Sequence, residues 1–356
     1  MSPSQAQLVL RDDQRAAFLA ATPWADATVL PLGSDASTRQ YFRLEAGPSA
    51  ALLMDAPGAA QTPPCPPSAS EAERRALGYP AMVRGSGSSL AAFEAASQML
   101  AACGVLVPRV LAKDIEASFA IVEDLGDQLV AEVSKDPSTE ERLYEGAADV
   151  LERLRAKEQA PGEHNGWAFQ SYDRLAYLEE VRLLTQWYLP EILGRTPTDE
   201  QVERLQAAWG EAFDQLSPPR HLVHRDFHAE NLLLARGAIG VIDFQDMMVG
   251  QAAYDWVSLI EDARRDIPAG LRDALYQRAV QGADDSAAFE VDYAILGAQR
   301  NAKILGLFAR LASADGKRRY LDFMPRVLRH FGEDLRRPPL AGVRAVMEDV
   351  APELIR

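Results

Sequence analysis

The first third of the chain alternates short apolar runs with turn residues. "ATVLPLG" (27–33), "RQYFRLEAG" (39–47) and "AALLMDAP" (50–57) each have the length and apolar content of a strand, and the small-residue turn "GSDAST" separates the first two. "SLAAFEAASQMLAAC" (89–103) repeats apolar residues at helical spacing, with Ser88 or Ser89 as its cap and Gly104 as its stop. "PRVLAKD" and "SFAIVEDLG" return to strand character. Between the third strand and the helix, residues 58–88 are rich in Pro, Gly and Ser and predict a long flexible insertion.

From Thr139 the period changes. "TEERLYEGAADVLERLRAKE", "YDRLAYLEEVRLLTQWYLPEI" and "DEQVERLQAAWGEAFDQL" carry helical spacing, as does a long stretch around 287–313. Two short strands, "NLLLAR" and "AIGVIDF", interrupt these helices and are joined by a Gly-containing turn. The pattern predicts an α+β chain without internal repeats. Residues 1–125 form a small sheet with one helix, residues 126–356 are mainly helical, and the boundary falls near Gly126.

Composition narrows the partners. The 356 residues are 47% hydrophobic and 25% charged, which is globular and fits one large two-lobed unit or two modest domains. A net charge of −15 weighs against nucleic-acid binding, which needs clustered Lys and Arg. It leaves room for a nucleotide whose charge is met locally by a metal and one or two cations. The N-terminus lacks a basic start followed by an apolar core, and no apolar run approaches the roughly 20 residues of a membrane span. Cys65 and Cys103, the two cysteines, read as plain thiols. The expectation is a soluble cytoplasmic protein with no nucleic-acid or membrane partner.

Candidate chemistry is concentrated in "HLVHRDFHAENLLL" (221–234). As a metal knot it would use His221, His224, Asp226 and His228, but strand alternation sends His224 and Asp226 to one face and His221 to the other. Its spacing also matches no common zinc pattern. As a polar turn between buried strands, its clustering of His224, Asp226, Asn231 and Asp243 would have no cause. As a phosphoryl-transfer loop every position has one. His224-Arg225-Asp226-x-x-x-x-Asn231 spells the catalytic-loop pattern of kinases. Asp226 is placed to position and deprotonate an acceptor hydroxyl. Asn231, with Asp243 from "VIDFQD", supplies oxygen ligands for a magnesium ion on the phosphates of ATP. The hairpin between them brings Asn231 and Asp243 to one end.

With a small sheet and one long helix ahead of it, this loop resembles the aminoglycoside phosphotransferase and choline kinase-like family of small-molecule kinases. The likeness spans nearly the whole chain. It implies a protein-kinase-like two-lobed fold, with a small antiparallel-sheet N-lobe and a mainly helical C-lobe. It also implies ATP and Mg²⁺ as cofactors, and a monomer. On that resemblance the Gly33–Thr38 turn, with Ser34 and Ser37, covers the phosphates, and Glu94 stands where kinases keep a helix acid. The backbone around Glu123 and Leu125 in "VEDLG" binds adenine. Asp255 in "AYDWVSLI" braces the catalytic loop alongside His224. "ALLMDAP" departs from the pattern because it lacks the lysine that holds the α- and β-phosphates. Arg39 or Arg43 on the neighbouring strand is the candidate substitute, and solvated strand arginines are the plain alternative.

"GSDASTRQYFRL", "QWYLPEIL" and "QRNAKILGLFARLASADGKRRYLDFMPRV" resemble one subgroup more specifically, the sugar anomeric kinases of peptidoglycan recycling. That likeness implies an amino-sugar acceptor, N-acetylmuramate or N-acetylglucosamine, phosphorylated at its C1 hydroxyl. Trp187 is then a candidate for stacking on the sugar, and Arg300 or Lys303 for meeting a lactyl carboxylate. Core packing and a solvated helix face are their plain alternatives. Choline, an aminoglycoside or an amino-alcohol stays open as acceptor, and the missing lysine keeps open a non-catalytic nucleotide-binding scaffold.

Overall fold

Each of the five apolar runs read as a strand is one. The computed structural model describes residues 5–32, 39–57, 65–87 and 89–355, so the Gly33–Thr38 turn, with Ser34 and Ser37, lies outside the described residues. In chain order the first part comprises α1 (Gln5–Ala20), β1 (Thr28–Pro31), β2 (Gln40–Ala46), β3 (Ser49–Asp55), α2 (Glu71–Leu77), α3 (Tyr79–Met82), α4 (Leu90–Ala102), β4 (Val110–Asp114) and β5 (Phe119–Glu123). The strands form one antiparallel sheet in the order β1-β2-β3-β5-β4. β5 is covered on both faces, which is why it is a continuous apolar run rather than an alternating one. Phe119 and Ile121 meet Phe18 and Leu19 of α1. Ala120 and Val122 meet Phe93 and Leu100 of α4 on the other side.

The sequence reading did not anticipate α1. Its apolar residues cluster at its two ends instead of forming a regular stripe, and the middle docks through one arginine. Arg11 bonds the Asp55 carboxylate at 2.6 Å and the Ala117 carbonyl at 2.7 Å, and its guanidinium lies 3.8 Å from the Phe119 ring centroid.

Within the segment expected to be a flexible insertion stand two short helices, α2 and α3. Ser70 caps α2 in a capping box with Glu73, and Arg74 of α2 is buried, reaching Asp173 of the helical part. The Pro and Gly residues that signal a loop here separate two short helices. Those helices hold on through ion pairs rather than an apolar stripe, so periodicity did not reveal them.

Beyond Gly126 the expected helices form at Pro137–Arg155, Asp199–Phe213 and Ser286–Ser313. The remaining one is broken. Arg174–Leu183 passes into a π turn at Leu184–Tyr188 and a short helix, Leu189–Leu193. It crosses the Ser286–Ser313 helix at Gly306, where a methyl group would collide with the Leu183 carbonyl. The two central strands pair as expected, Leu232–Ala235 with Ala238–Val241. A further pair, His221–Val223 with Met248–Gly250, closes the whole segment into one stapled loop.

Gly306→Ala is expected to lower unfolding free energy by about 1–3 kcal/mol through overpacking. Urea unfolding checks it; an unchanged midpoint would mean that the two helices do not cross as described.

Candidate active site

The loop between the stapling strands is held from below by one carboxylate. Asp255 accepts the backbone N–H of His224 at 2.6 Å and that of Arg225 at 3.0 Å. Burial pushes its carboxyl up to about 6, while the His224 ring and the two N–H donors pull the other way. These bonds fix a conformation that the chain would not adopt unaided, because Arg225 has φ 76°. His224 ties the loop to the far end of the hairpin. Its Nε2 lies 2.8 Å from the Ile242 carbonyl, and its Nδ1 accepts the Asp226 N–H at 3.3 Å. The Asn231 amide donates to the Asp226 carbonyl at 2.9 Å, which commits its nitrogen and leaves its oxygen as the group to meet a cation.

This geometry brings Asp226, Asn231 and Asp243 to one wall of a cleft of about 470 Å³ between sheet and helices. Tyr41, Leu52 and Val122 come from the sheet, and Ile242 and Phe244 from beyond the hairpin. Arg264, Leu307 and Tyr320 also line it. Asp243 is itself at φ 60°, with its side chain 52% exposed to the cleft. The pair of strand arginines is now separated. Arg39 lies 3.7 Å from the Asp243 carboxylate, whereas Arg43 turns to Asp124 at 2.8 Å and braces the connector between the lobes.

Under the loop sits a buried ionic network that periodicity did not reveal. Glu180 accepts from Arg225 at 2.7 Å, Gln299 at 2.8 Å and Lys303 at 3.1 Å, and also from the Tyr172 hydroxyl. The Arg225 guanidinium stands 4.7 Å from the centroid of the Tyr172 ring. Burial would raise the Glu180 carboxyl, but Lys303 and Arg225 outweigh it and lower it. The same charges reach the cleft. Burial alone would raise the Asp226 carboxyl, yet positive charge led by Lys303 and including Arg300 and Arg225 holds it well below the usual carboxylate range. Beside it, burial and the Arg264 guanidinium push His228 down to about 3. The neutral ring accepts from Arg264 at 2.9 Å.

Other expected residues stand elsewhere. Glu94 pairs with Lys113 on the edge strand β4 and does not line the cleft. Without a β3 lysine to meet, it has no reason to turn inward. The Glu123 side chain is taken by Arg109 and Arg236, and Leu125 packs with Leu233 and Ala235. Trp187 rests in the π turn against the helical core, and Arg300 is buried behind the loop, bonding the Glu261 carbonyl at 3.4 Å; neither lines the cleft. Arg264 was missed, although it follows shortly after the "AYDWVSLI" helix. So was Glu180, whose signal was a charge inside an otherwise apolar helical face.

A sheet lobe, a helical lobe, and an acid–amide–acid trio at the cleft between them define a kinase-like phosphotransferase architecture. The chain belongs to the phosphotransferase enzyme family, whose pattern matches residues 28–289. It is 36% identical to the N-acetylmuramate/N-acetylglucosamine kinase of Caulobacter vibrioides, over 96% of this chain and 97% of that one. The fold is similar to that of a choline/ethanolamine kinase family protein from Mesorhizobium loti, with TM-score 0.55, 16% identity, and coverage of 95% of this chain and 99% of that one. It is also similar to the aminoglycoside phosphotransferase APH(4)-Ia, with TM-score 0.55, 13% identity, and coverage of 90% and 99%. The two-lobed kinase-like fold expected from the sequence is borne out.

Asp255→Ala leaves two buried N–H groups without an acceptor, and is expected to cost about 2–6 kcal/mol of stability at 1–3 kcal/mol per group. Chemical denaturation measures this. A loss under 1 kcal/mol would show that the loop is held by something else.

Proposed function

We propose that the protein is an ATP-dependent sugar kinase that phosphorylates the anomeric C1 hydroxyl of N-acetylmuramate and N-acetylglucosamine. The observation that carries this reading is the intact Asp226–Asn231–Asp243 trio in a chain related along nearly its whole length to a kinase of that name. In the proposed roles, Asp226 orients the acceptor hydroxyl and takes its proton, and Arg39 holds phosphate oxygens in place of the missing lysine. Leu52, Val122 and Ile242 offer an apolar slot for adenine. Hard oxygen donors suit magnesium: the Asp243 carboxylate faces the cleft, and the Asn231 oxygen is left to meet a cation, its nitrogen being bonded. Bound there, the metal would neutralise charge on the phosphates.

The acceptor end favours a sugar over a cation. Choline or an aminoglycoside would need unpaired carboxylates around its pocket. Here Glu230 is paired with Arg264 at 2.9 Å, and Lys303 adds positive charge near Asp226. We assign the lactyl carboxylate of N-acetylmuramate to Arg264, which opens on the cleft, rather than to the buried Arg300. An anomeric hydroxyl is the most acidic on a sugar, which suits a base held as weak as Asp226. A non-catalytic scaffold would not need the trio intact or a cation beside Asp243. The setting we propose is a cytoplasmic monomer in peptidoglycan recycling. Among the described residues, no helix is long and apolar enough to cross a membrane.

A coupled assay of ADP release with a panel of amino sugars, choline and aminoglycosides tests the reading; turnover with choline or an aminoglycoside alone contradicts it. Asp226→Asn is expected to lower kcat by about 10²–10⁴-fold and to leave MgATP affinity nearly intact. Asp243→Ala is expected to abolish MgATP binding in calorimetric titration while the fold survives. Arg264→Gln should raise KM for N-acetylmuramate by about 10–100-fold, the worth of a hydrogen bond to a charged group, with N-acetylglucosamine little changed. Equal losses for both sugars would remove Arg264 from carboxylate recognition.

A further inference from the structure

The segment after β3 does more than link strand to helix. Residues 65–87 touch the helical lobe at several charged points. Arg74 of α2 grips Asp173 with both terminal nitrogens, and its Nε bonds the Ala81 carbonyl at 3.3 Å. Arg75 bonds Glu179 at 2.6 Å. Arg84, at φ 52°, reaches Asp173 at 3.3 Å and Gln170 at 2.9 Å. Asp173 also caps the Arg174–Leu183 helix, which carries Glu180, through the Ala176 N–H at 3.0 Å.

The last turn of the segment reaches the cleft itself. Ser86 donates its backbone N–H to the Asp246 carboxylate at 2.7 Å, three residues beyond Asp243. The next carbonyl, that of Gly87, accepts from Arg39 Nη2 at 2.9 Å, while Arg39 Nη1 faces Asp243 at 3.7 Å. In kinases a helix acid orients the phosphate-binding cation. Here that acid position, Glu94, is occupied with Lys113 on another strand. Arg39 instead bonds the Gly87 carbonyl, next to the Ser86 N–H held by Asp246.

We propose that residues 65–87 are a strap, anchored on the helical lobe at Asp173 and Asp246, that orients Arg39 over Asp243 for nucleotide binding. Arg74 and Asp246 are positioning residues in it, acting through Arg39. The strap also binds the two lobes to each other on one side of the cleft, so the spacing between sheet and catalytic loop is fixed before nucleotide arrives. Preorganisation of this kind reduces the ordering cost of binding. The inference rests on the reading of Arg39 as the phosphate-holding cation, and its test separates the two.

The test is a double-mutant cycle on the full chain, read by calorimetric titration of MgATP and by KM for MgATP, with thermal melts as a check on folding. Arg39→Ala is expected to weaken MgATP by about 10–100-fold, the worth of a hydrogen bond to a charged group. Arg74→Gln and Asp246→Asn should each weaken it by about three- to tenfold, as partial losses of the same contact. In the Arg39→Ala background, neither should add more than about twofold, because sites that act through one contact are not additive. Arg39→Lys should recover part of the affinity and restore sensitivity to the strap variants. Strap effects that multiply fully with Arg39→Ala would overturn the proposal, as would variants that lower the melting temperature while leaving MgATP affinity unchanged. If Arg39→Ala itself leaves MgATP affinity unchanged, the assignment of Arg39 falls and the strap's role with it. The acceptor panel judges the sugar-kinase reading independently.

Discussion

The bond pair from Asp255 to the His224 and Arg225 backbone is the constraint on which the site depends. A carboxylate buried under a loop loses its hydration, and it is retained only where its oxygens are satisfied by fixed donors. Here the donors are two consecutive N–H groups of the catalytic loop, so satisfying the acid and shaping the loop are one event. The left-handed Arg225 turns its guanidinium down to Glu180 and lets Asp226 rise into the cleft. His224 then transmits the same registration to Ile242, and through it to Asp243. Two acidic side chains supplied by different stretches of chain are thereby placed on one wall.

Electrostatics resolves an apparent conflict between composition and chemistry. A chain of net charge −15 is a poor host for a polyanion in general. Five of its cations stand where phosphates and a transferred proton would be handled. Lys303, Arg300 and Arg225 lie beneath Asp226, Arg39 beside Asp243, and Arg264 beside His228 on the cleft lining. The buried members are paired or bonded to carbonyls, as a low-dielectric interior requires. Their shared field lowers the proton affinity of Asp226. A base so weakened works best on an acceptor whose hydroxyl is already acidic, as the proposed anomeric hydroxyl is.

Much of this was legible in the residue order, because strands, helices and the Asp226–Asn231–Asp243 trio are encoded in short windows. The five strands, the Ser89-capped helix and the inserted hairpin all follow from local period and turn chemistry. What escaped depends on contacts across distant parts of the chain. Neither α1, held by Arg11 on Phe119, nor α2 and α3, held by Arg74 on Asp173, presents a regular apolar stripe. The separation of Arg39 from Arg43 turned on Asp124, a partner that only the folded connector brings near. Arg300 looked like a helix-surface arginine and is buried, because the long helix is covered on nearly all sides.

The most direct measurement of the central claim is phosphorus NMR of the product formed from MgATP and N-acetylmuramate. A base aligned on the anomeric hydroxyl places phosphate on C1, so the new resonance should be a doublet, split by the single anomeric proton and growing about 10²–10⁴-fold more slowly with Asp226→Asn. A resonance split by two protons, marking phosphate on C6, would contradict the claim, as would a rate of product formation unaffected by loss of the Asp226 carboxylate.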